Sequence, residues 1–278
     1  MKKRIQLHIL LIVVLLFAGC KKNTTPATPV NGAACKPTSE STTLSGNNDT
    51  YKYTYDAGGK ISTITKFPTA FPGALKDSII VTDLGKTSYS QTSAYPVEAH
   101  TNWGSYFNQL PPSASVSITE RGVTQVKYWV YQFTYDTKNR LVEVNESTPT
   151  QIGDYEYDLS IAYNDKDNVS SLRYSNSTGP VTITAIAAEG YDDKPSPYTG
   201  IKNWYLLMTA GWNNYDPAPI FIALSKNNPL GYTLTSGFKR TMSYIYNDKG
   251  FPLKRMNTNT NPNGSTYSFE ETYNYQCQ

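Results

Sequence analysis

Residues able to do chemistry are few in this 278-residue chain. There are three cysteines, Cys20, Cys35 and Cys277, and two histidines, His8 and His100. A Ser-His-Asp or Cys-His site needs an imidazole to carry a proton, and a His-rich metal site needs several. His8 lies in a stretch read below as a leader, which leaves His100. With Pro96 and Trp103 close by, His100 is expected in a loop without a catalytic role. Asp154, Glu156, Asp158, Asp192 and Asp193 offer carboxylate pairs for glycoside hydrolysis, but acids in turns and on exposed strand faces are the ordinary case. The run Asp165-Lys166-Asp167-Asn168 lacks the glycine and distal glutamate of a calcium loop, and a hairpin turn explains it better. No metal or cofactor site is expected. The richest constellation is Tyr191-Asp192-Asp193-Lys194-Pro195-Ser196-Pro197, followed by Trp204, Tyr205, Trp212 and Tyr215. Prolines stiffen the loop, carboxylates accept sugar hydroxyls and rings offer stacking platforms. Asp192, Asp193, Trp204, Tyr205, Trp212 and Tyr215 therefore form the candidate ligand-binding set. The alternative is that these aromatics plug one end of a curled sheet.

The N-terminus carries the address. Lys2, Lys3 and Arg4 precede an apolar run, Ile9 to Phe17, that is short for a bilayer span. Leu16-Phe17-Ala18-Gly19-Cys20 then resembles the lipobox of bacterial lipoproteins. The resemblance implies a signal peptide over residues 1–19 and lipidation of Cys20, the first residue of the mature chain. The alternative is an ordinary cleaved leader with an incidental cysteine. Several acyl chains would hold the protein firmly at the membrane, where one binds only marginally. Lys21 stands where many inner-membrane lipoproteins carry Asp, so the outer membrane is the expected location. The leader holds three of the 25 basic residues and none of the 22 acidic ones, so the mature chain carries 25 − 3 = 22 basic against 22 acidic residues. A nucleic-acid partner thereby loses its electrostatic support. In an exported chain Cys35 and Cys277 are expected to pair, the alternative being two unpaired thiols. So long a loop would stabilise by about 5 kcal/mol at most on the loop-entropy model.

The elements expected to position these groups are hairpins. Met242-Ser243-Tyr244-Ile245-Tyr246-Asn247-Asp248-Lys249-Gly250-Phe251-Pro252-Leu253 reads as an aromatic strand, a polar turn ending in Gly, and a return strand. Degenerate copies run from Tyr53 to Ile61, Phe133 to Leu141 and Ile161 to Val169. Alternating Tyr suits a pleated surface packed on one face. Asn, Asp and Gly tolerate the positive φ of tight turns, and Asx side chains bond their own turn backbone. Residues 20–46 are Thr-, Pro-, Asn- and Ala-rich and read as a disordered tether. Residues 47–278 are expected to form one all-β domain, with 94–112 irregular or partly helical. Helical periodicity is confined to 201–212 or 218–226. In the strand ending at Tyr135, apolar residues on both faces predict cover on two sides. Short turns throughout imply an antiparallel up-and-down meander curled into a barrel-like or half-barrel sheet, with one or two short helices at most.

The Tyr-Asp/Asn-x-x-Gly-x-Leu units resemble YD repeats, as in Rhs-type proteins. Taken with the lipobox, Tyr191 to Pro197, Ser225-Lys226-Asn227-Asn228 and the late Tyr-Asn-Asp-Lys-Gly-Phe-Pro, they resemble a Bacteroidota lipoprotein family of unknown function with a porin-like, curled antiparallel sheet. The resemblance covers roughly residues 50–276 and implies a fold and a location, without catalytic residues. The expected function is that of a lipid-anchored, non-enzymatic cell-envelope protein binding a glycan or protein partner. A structural or assembly scaffold is the alternative and a glycoside hydrolase a distant one. Recurrent Lys, Asp, Asn and Ser on the strands argue against a transmembrane barrel.

Overall fold

Each hairpin is built outward from its Asx corner. At Asp56 the carbonyl accepts the Gly59 N–H (2.9 Å) and the Asp56 N–H donates to the Lys60 carbonyl (2.8 Å). The same pair of bonds recurs at Asp136, Asn164, Leu234, Asn247 and Asn261. This is a three-residue loop closed by a left-handed residue. The left-handed position is filled by Gly59 and Gly250, and by Asn139 and Asp167, both at φ 62°. Asx side chains add the bonds that select this turn. Asp136 Oδ1 accepts the Lys138 and Arg140 N–H groups (2.9 Å each), and Asn247 Oδ1 accepts those of Lys249 and Phe251 (3.0 and 2.9 Å).

The computed structural model describes residues 35–44, 47–68, 77–81, 85–90, 97–102, 113–120, 123–148, 155–176, 184–199, 201 and 217–277. All lie within one compact unit, Ala34–Gln278. The first eight strands are β1 (Cys35–Leu44), β2 (Asn47–Tyr55), β3 (Ile61–Pro68), β4 (Asp77–Val81), β5 (Gly85–Ser90), β6 (Val97–Asn102), β7 (Ser113–Glu120) and β8 (Val123–Tyr135). They continue with β9 (Leu141–Thr148), β10 (Tyr155–Tyr163), β11 (Val169–Asn176), β12 (Thr184–Pro195), β13 (Asn227–Leu234), β14 (Lys239–Tyr246), β15 (Pro252–Thr260) and β16 (Thr266–Cys277). A seven-residue helix, α1 (Ala218–Leu224), separates β12 from β13. Every strand pairs antiparallel with its chain neighbours, and β1 pairs with both β2 and β16, so the meander closes into a barrel. The Cys35–Cys277 disulfide sits at the end of the closing seam, where the two residues are register partners.

Where side chains are described, the barrel wall is largely apolar inside and polar outside. Tyr53, Ile61, Tyr131, Phe133, Leu159, Ile161, Leu172 and Ile186 are buried in one core that also takes in Ile220, Phe221 and Ile222 of α1. Their outward-facing neighbours, among them Lys52, Thr54, Gln132, Thr134, Ser160, Arg173, Thr241 and Ser243, are exposed. A lipid-facing wall would carry an apolar band instead. Isolated exceptions are Leu230, Ile245, Leu253 and Met256.

The structure meets the hairpin and meander expectations and places α1 within the expected 218–226 span. Three readings need correction. Residues 35–44 belong to the sheet and not to a tether: β1 lacks apolar alternation, but it is paired on both sides and bridged by the disulfide. His100 lies in strand β6, opposite Thr87 and Ser117, not in a loop, and 97–102 is extended, not helical. Over 131–134, β8 is covered on one face only, because Gln132 and Thr134 point to solvent while Tyr131 and Phe133 are buried.

Candidate functional site

In an up-and-down barrel alternate connections share an end. The Tyr-Asx corners after β2, β8, β10 and β14, and the longer connection after β12, therefore lie at the same rim as the disulfide. Three of the tyrosines on these strands bond the backbone of a neighbouring strand or corner. The Tyr163 hydroxyl donates to the Leu141 carbonyl (2.8 Å), that of Tyr191 to Val169 (2.6 Å) and that of Tyr55 to Pro37 (2.6 Å). Burial pushes the pKa of all three phenols above its ordinary value, so they stay neutral donors. Charges join adjacent corners as well. Asp167 takes Lys138 (3.0 Å) and Arg140 (2.7 Å), and Arg140 also lies over the Tyr163 ring. The hydrogen bond from Lys138 leads the downward shift of the Asp167 carboxyl, while that of Asp136 is held low first by the Arg140 backbone N–H.

Between β12 and β13 the chain forms no tight corner but turns into the barrel. Ser196 Oγ donates to the Ile222 carbonyl (2.7 Å), Ser225 Oγ to the Tyr191 hydroxyl (3.1 Å), and Phe221 stacks on Tyr232 at 5.6 Å. The Tyr198 hydroxyl reaches Glu40 on β1, which also accepts the Tyr53 hydroxyl (2.9 Å). Residues 196–199 and 217–226 thus plug this end of the barrel.

Asp192 sits at the root of that plug. Its carboxylate accepts the Asn228 side-chain and backbone N–H groups (3.2–3.3 Å), the Tyr246 hydroxyl and the Lys194 N–H (2.9 Å). It performs for this connection the job that Asp136 performs for its own corner. Asp193 is exposed, 3.5 Å from Lys194 Nζ. Trp204, Tyr205, Trp212 and Tyr215 lie outside the described residues, as do Cys20 and Asp154. Asp158 accepts the Asn145 amide at 2.7 Å on the outer face. Of these acids, the described Asp158 and Asp192 are engaged by separate partners, Asn145 in one case and Asn228 and Tyr246 in the other. Among the described residues no three metal-ligating side chains cluster.

A second constellation, not anticipated from the sequence, lines the inside of β15 and β16. Arg255, Asn257 and Asn259 point inward at alternate positions and are 4%, 0% and 0% exposed. Arg255 pairs with Glu271 of β16, which also receives the Tyr273 hydroxyl and the Asn257 amide (3.4 Å each). Arg240 of β14 donates from Nε to Asn259 Oδ1 (2.6 Å), with its guanidinium over the rings of Tyr232 and Phe269. The alternation of polar residues along Arg255-Met256-Asn257-Thr258-Asn259 was visible, but its inward phase was not.

No family model matches the sequence, and no curated protein matches it. Among solved structures, the chain is similar to a porin-like protein from Bacteroides uniformis, with a TM-score of 0.56 at 12% identity, over 86% of this chain and 96% of that one. The likeness is one of fold. A porin-like protein from Bacteroides vulgatus aligns over 87% of this chain and 99% of that one, at 10% identity and a TM-score of 0.37. The porin-like sheet implied by the turn units is thus met in a solved protein. No helix among the described residues is long and apolar enough to cross a membrane, which says nothing of strands.

Proposed function

We propose that this is a lipid-anchored protein of the outer membrane whose plugged barrel is a non-enzymatic module for binding a glycan or an envelope protein. The observation that carries the reading is the polarity of the wall. Among the described side chains, Ser, Thr, Lys and Glu outside and an apolar core inside suit a wall that faces water. Such a domain needs a separate attachment, and the Leu16–Cys20 motif offers one. The Tyr-Asx corners support kinship with YD repeats, since the Tyr and Asx of each unit have defined jobs in the turn. Trp204, Tyr205, Trp212 and Tyr215, which follow Asp193 in the sequence, remain the candidate binding residues. Because the oxygens of Asp192 are spent on Asn228 and Tyr246, the scaffold reading gains weight at that loop.

Metabolic labelling with palmitate tests the anchor. The wild-type chain should label and fractionate with outer membranes, and Cys20→Ser should abolish both. Unchanged labelling of the variant would remove the anchor from the proposal.

A further inference from the structure

The corner after β2 differs from others on its rim. At the Asp136 corner Arg140 holds Asp136 (2.6 Å) and reaches across to Asp167 of the next one (2.7 Å). The corner after β2 has Ala57, Gly58 and Gly59 where those two carry Thr137-Lys138-Asn139 and Asp165-Lys166-Asp167. The bare turn borders a cavity of about 400 Å³, lined by Lys36, Tyr55, the 56–59 turn and Gln276. That volume is in the range of small-molecule sites. Lys36 and Gln276 are register partners across the closing seam, so their side chains stand next to each other. Asp56, Ala57, Gly58 and Gln276 are exposed, which leaves the cavity open to solvent.

Two opposite charges line this cavity, and neither is neutralised by the protein. Lys36 Nζ donates to the Gly59 carbonyl (2.7 Å) and lies 5.4 Å from the centre of the Tyr55 ring. A Cβ at position 59 would collide with that ammonium, so glycine is what lets Lys36 in. Asp56 Oδ1 accepts the Lys60 N–H (2.8 Å). Among the described residues neither Lys36 nor Asp56 has an ion-pair partner. Two ammonium hydrogens and the second carboxylate oxygen are therefore left for a ligand, and the Gln276 amide adds a donor and an acceptor. A bare anion would be repelled by Asp56 and a bare cation by Lys36. A ligand that carries both charges a few bonds apart is attracted at both ends.

We infer that this cavity binds a small zwitterion, with its oxyanion on Lys36 and Gln276 and its ammonium on Asp56. Free amino acids and phosphoethanolamine, the headgroup of a common phospholipid, share this chemistry. The site is separate from the residues that follow Asp193 and requires neither the lipid anchor nor a glycan.

L-Alanine, L-lysine, L-phenylalanine and O-phosphoethanolamine are titrated calorimetrically into the full chain, with acetate and ethylamine as probes of one charge each. The same titrations are run on Lys36→Met, on Asp56→Asn and, away from the cavity, on Asp248→Asn. Saturable binding of at least one zwitterion is expected, with acetate and ethylamine silent and Asp248→Asn unchanged. Binding should be about tenfold weaker or more in Lys36→Met and in Asp56→Asn, because each loses a charge-assisted bond. Asp56→Asn keeps the turn, since Asn164 and Asn247 close the same kind of corner through Oδ1, so it carries the test should Lys36→Met fold poorly. Amino acids binding more tightly than phosphoethanolamine would name a free amino acid as the source, and the reverse a lipid headgroup; either supports the site. Full binding in a folded Lys36→Met or Asp56→Asn, acetate or ethylamine binding as tightly as the zwitterions, or no saturation by any zwitterion would each overturn it.

Discussion

Cys277→Ser is the perturbation whose size the structure fixes best. The bridge ties residues 242 positions apart, joining the first strand of the barrel to the last. Constraining so long a loop in the unfolded chain is worth about 5 kcal/mol on the loop-entropy model, and measured bridges commonly deliver 2–4 kcal/mol. The native side of the balance changes little, because β1 and β16 keep a ladder of register partners from Lys36–Gln276 to Thr43–Glu270 without the sulfurs. Cys277 is the residue to replace, since Cys35 is fully buried and its free thiol packs as a small apolar group. For a domain of this size, 2–4 kcal/mol corresponds to a fall in Tm of roughly 5–15 °C. Thermal unfolding followed by circular dichroism, on protein whose thiols have been counted, measures it. The variant should fold with an unchanged spectrum and melt in that lower range, and wild type in reductant should melt with it. A Tm within 2 °C of the bonded wild type would refute the argument that the seam is held through the unfolded state.

Three further outcomes follow from particular residues. Burial, with Glu271 nearby, raises the Glu40 carboxyl above its ordinary 4.5, against the pull of the Tyr198 and Tyr53 hydroxyls and of Arg255. Such a group favours the native state when protonated, a contribution present below its unfolded value and lost as pH rises through the raised one. Glu40→Gln should therefore lie at or above wild type in urea unfolding at pH 8 and flatten the decline in stability from pH 5 upward. A wild-type stability that rises over that range would contradict it. Tyr191→Phe removes the donor to the Val169 carbonyl and should cost about 1 kcal/mol in the same assay, the usual net worth of such a bond. Gly250→Ala forces a side chain into the left-handed corner at φ 84° and should cost about 1–2 kcal/mol, whereas Asn139→Gly, at φ 62°, should be neutral or slightly stabilising. Chemical denaturation of both variants side by side checks the opposite signs.

What the sequence by itself determined was local. Asx, Gly and Tyr at fixed offsets specify a corner whose bonds close within five residues, so the hairpins at 56, 136, 164 and 247 were legible without any distant partner. The short helix near 218 and the pairing of Cys35 with Cys277 were legible for similar reasons, periodicity in one case and the scarcity of thiols in the other. Tertiary structure decided the rest. Cys35-Lys36-Pro37-Thr38-Ser39-Glu40-Ser41-Thr42-Thr43-Leu44 carries no strand pattern, and it becomes β1 because two neighbours supply its backbone bonds and Glu40 finds Tyr53 and Tyr198 inside. Asp192 read as a ligand-facing acid, but Asn228 and Tyr246 arrive from 36 and 54 residues away to occupy it. The Arg255, Asn257 and Asn259 column follows the same logic. Strand alternation tells which residues share a face, but only closure of the barrel decides which face is enclosed, and that depends on the register of all its neighbours at once.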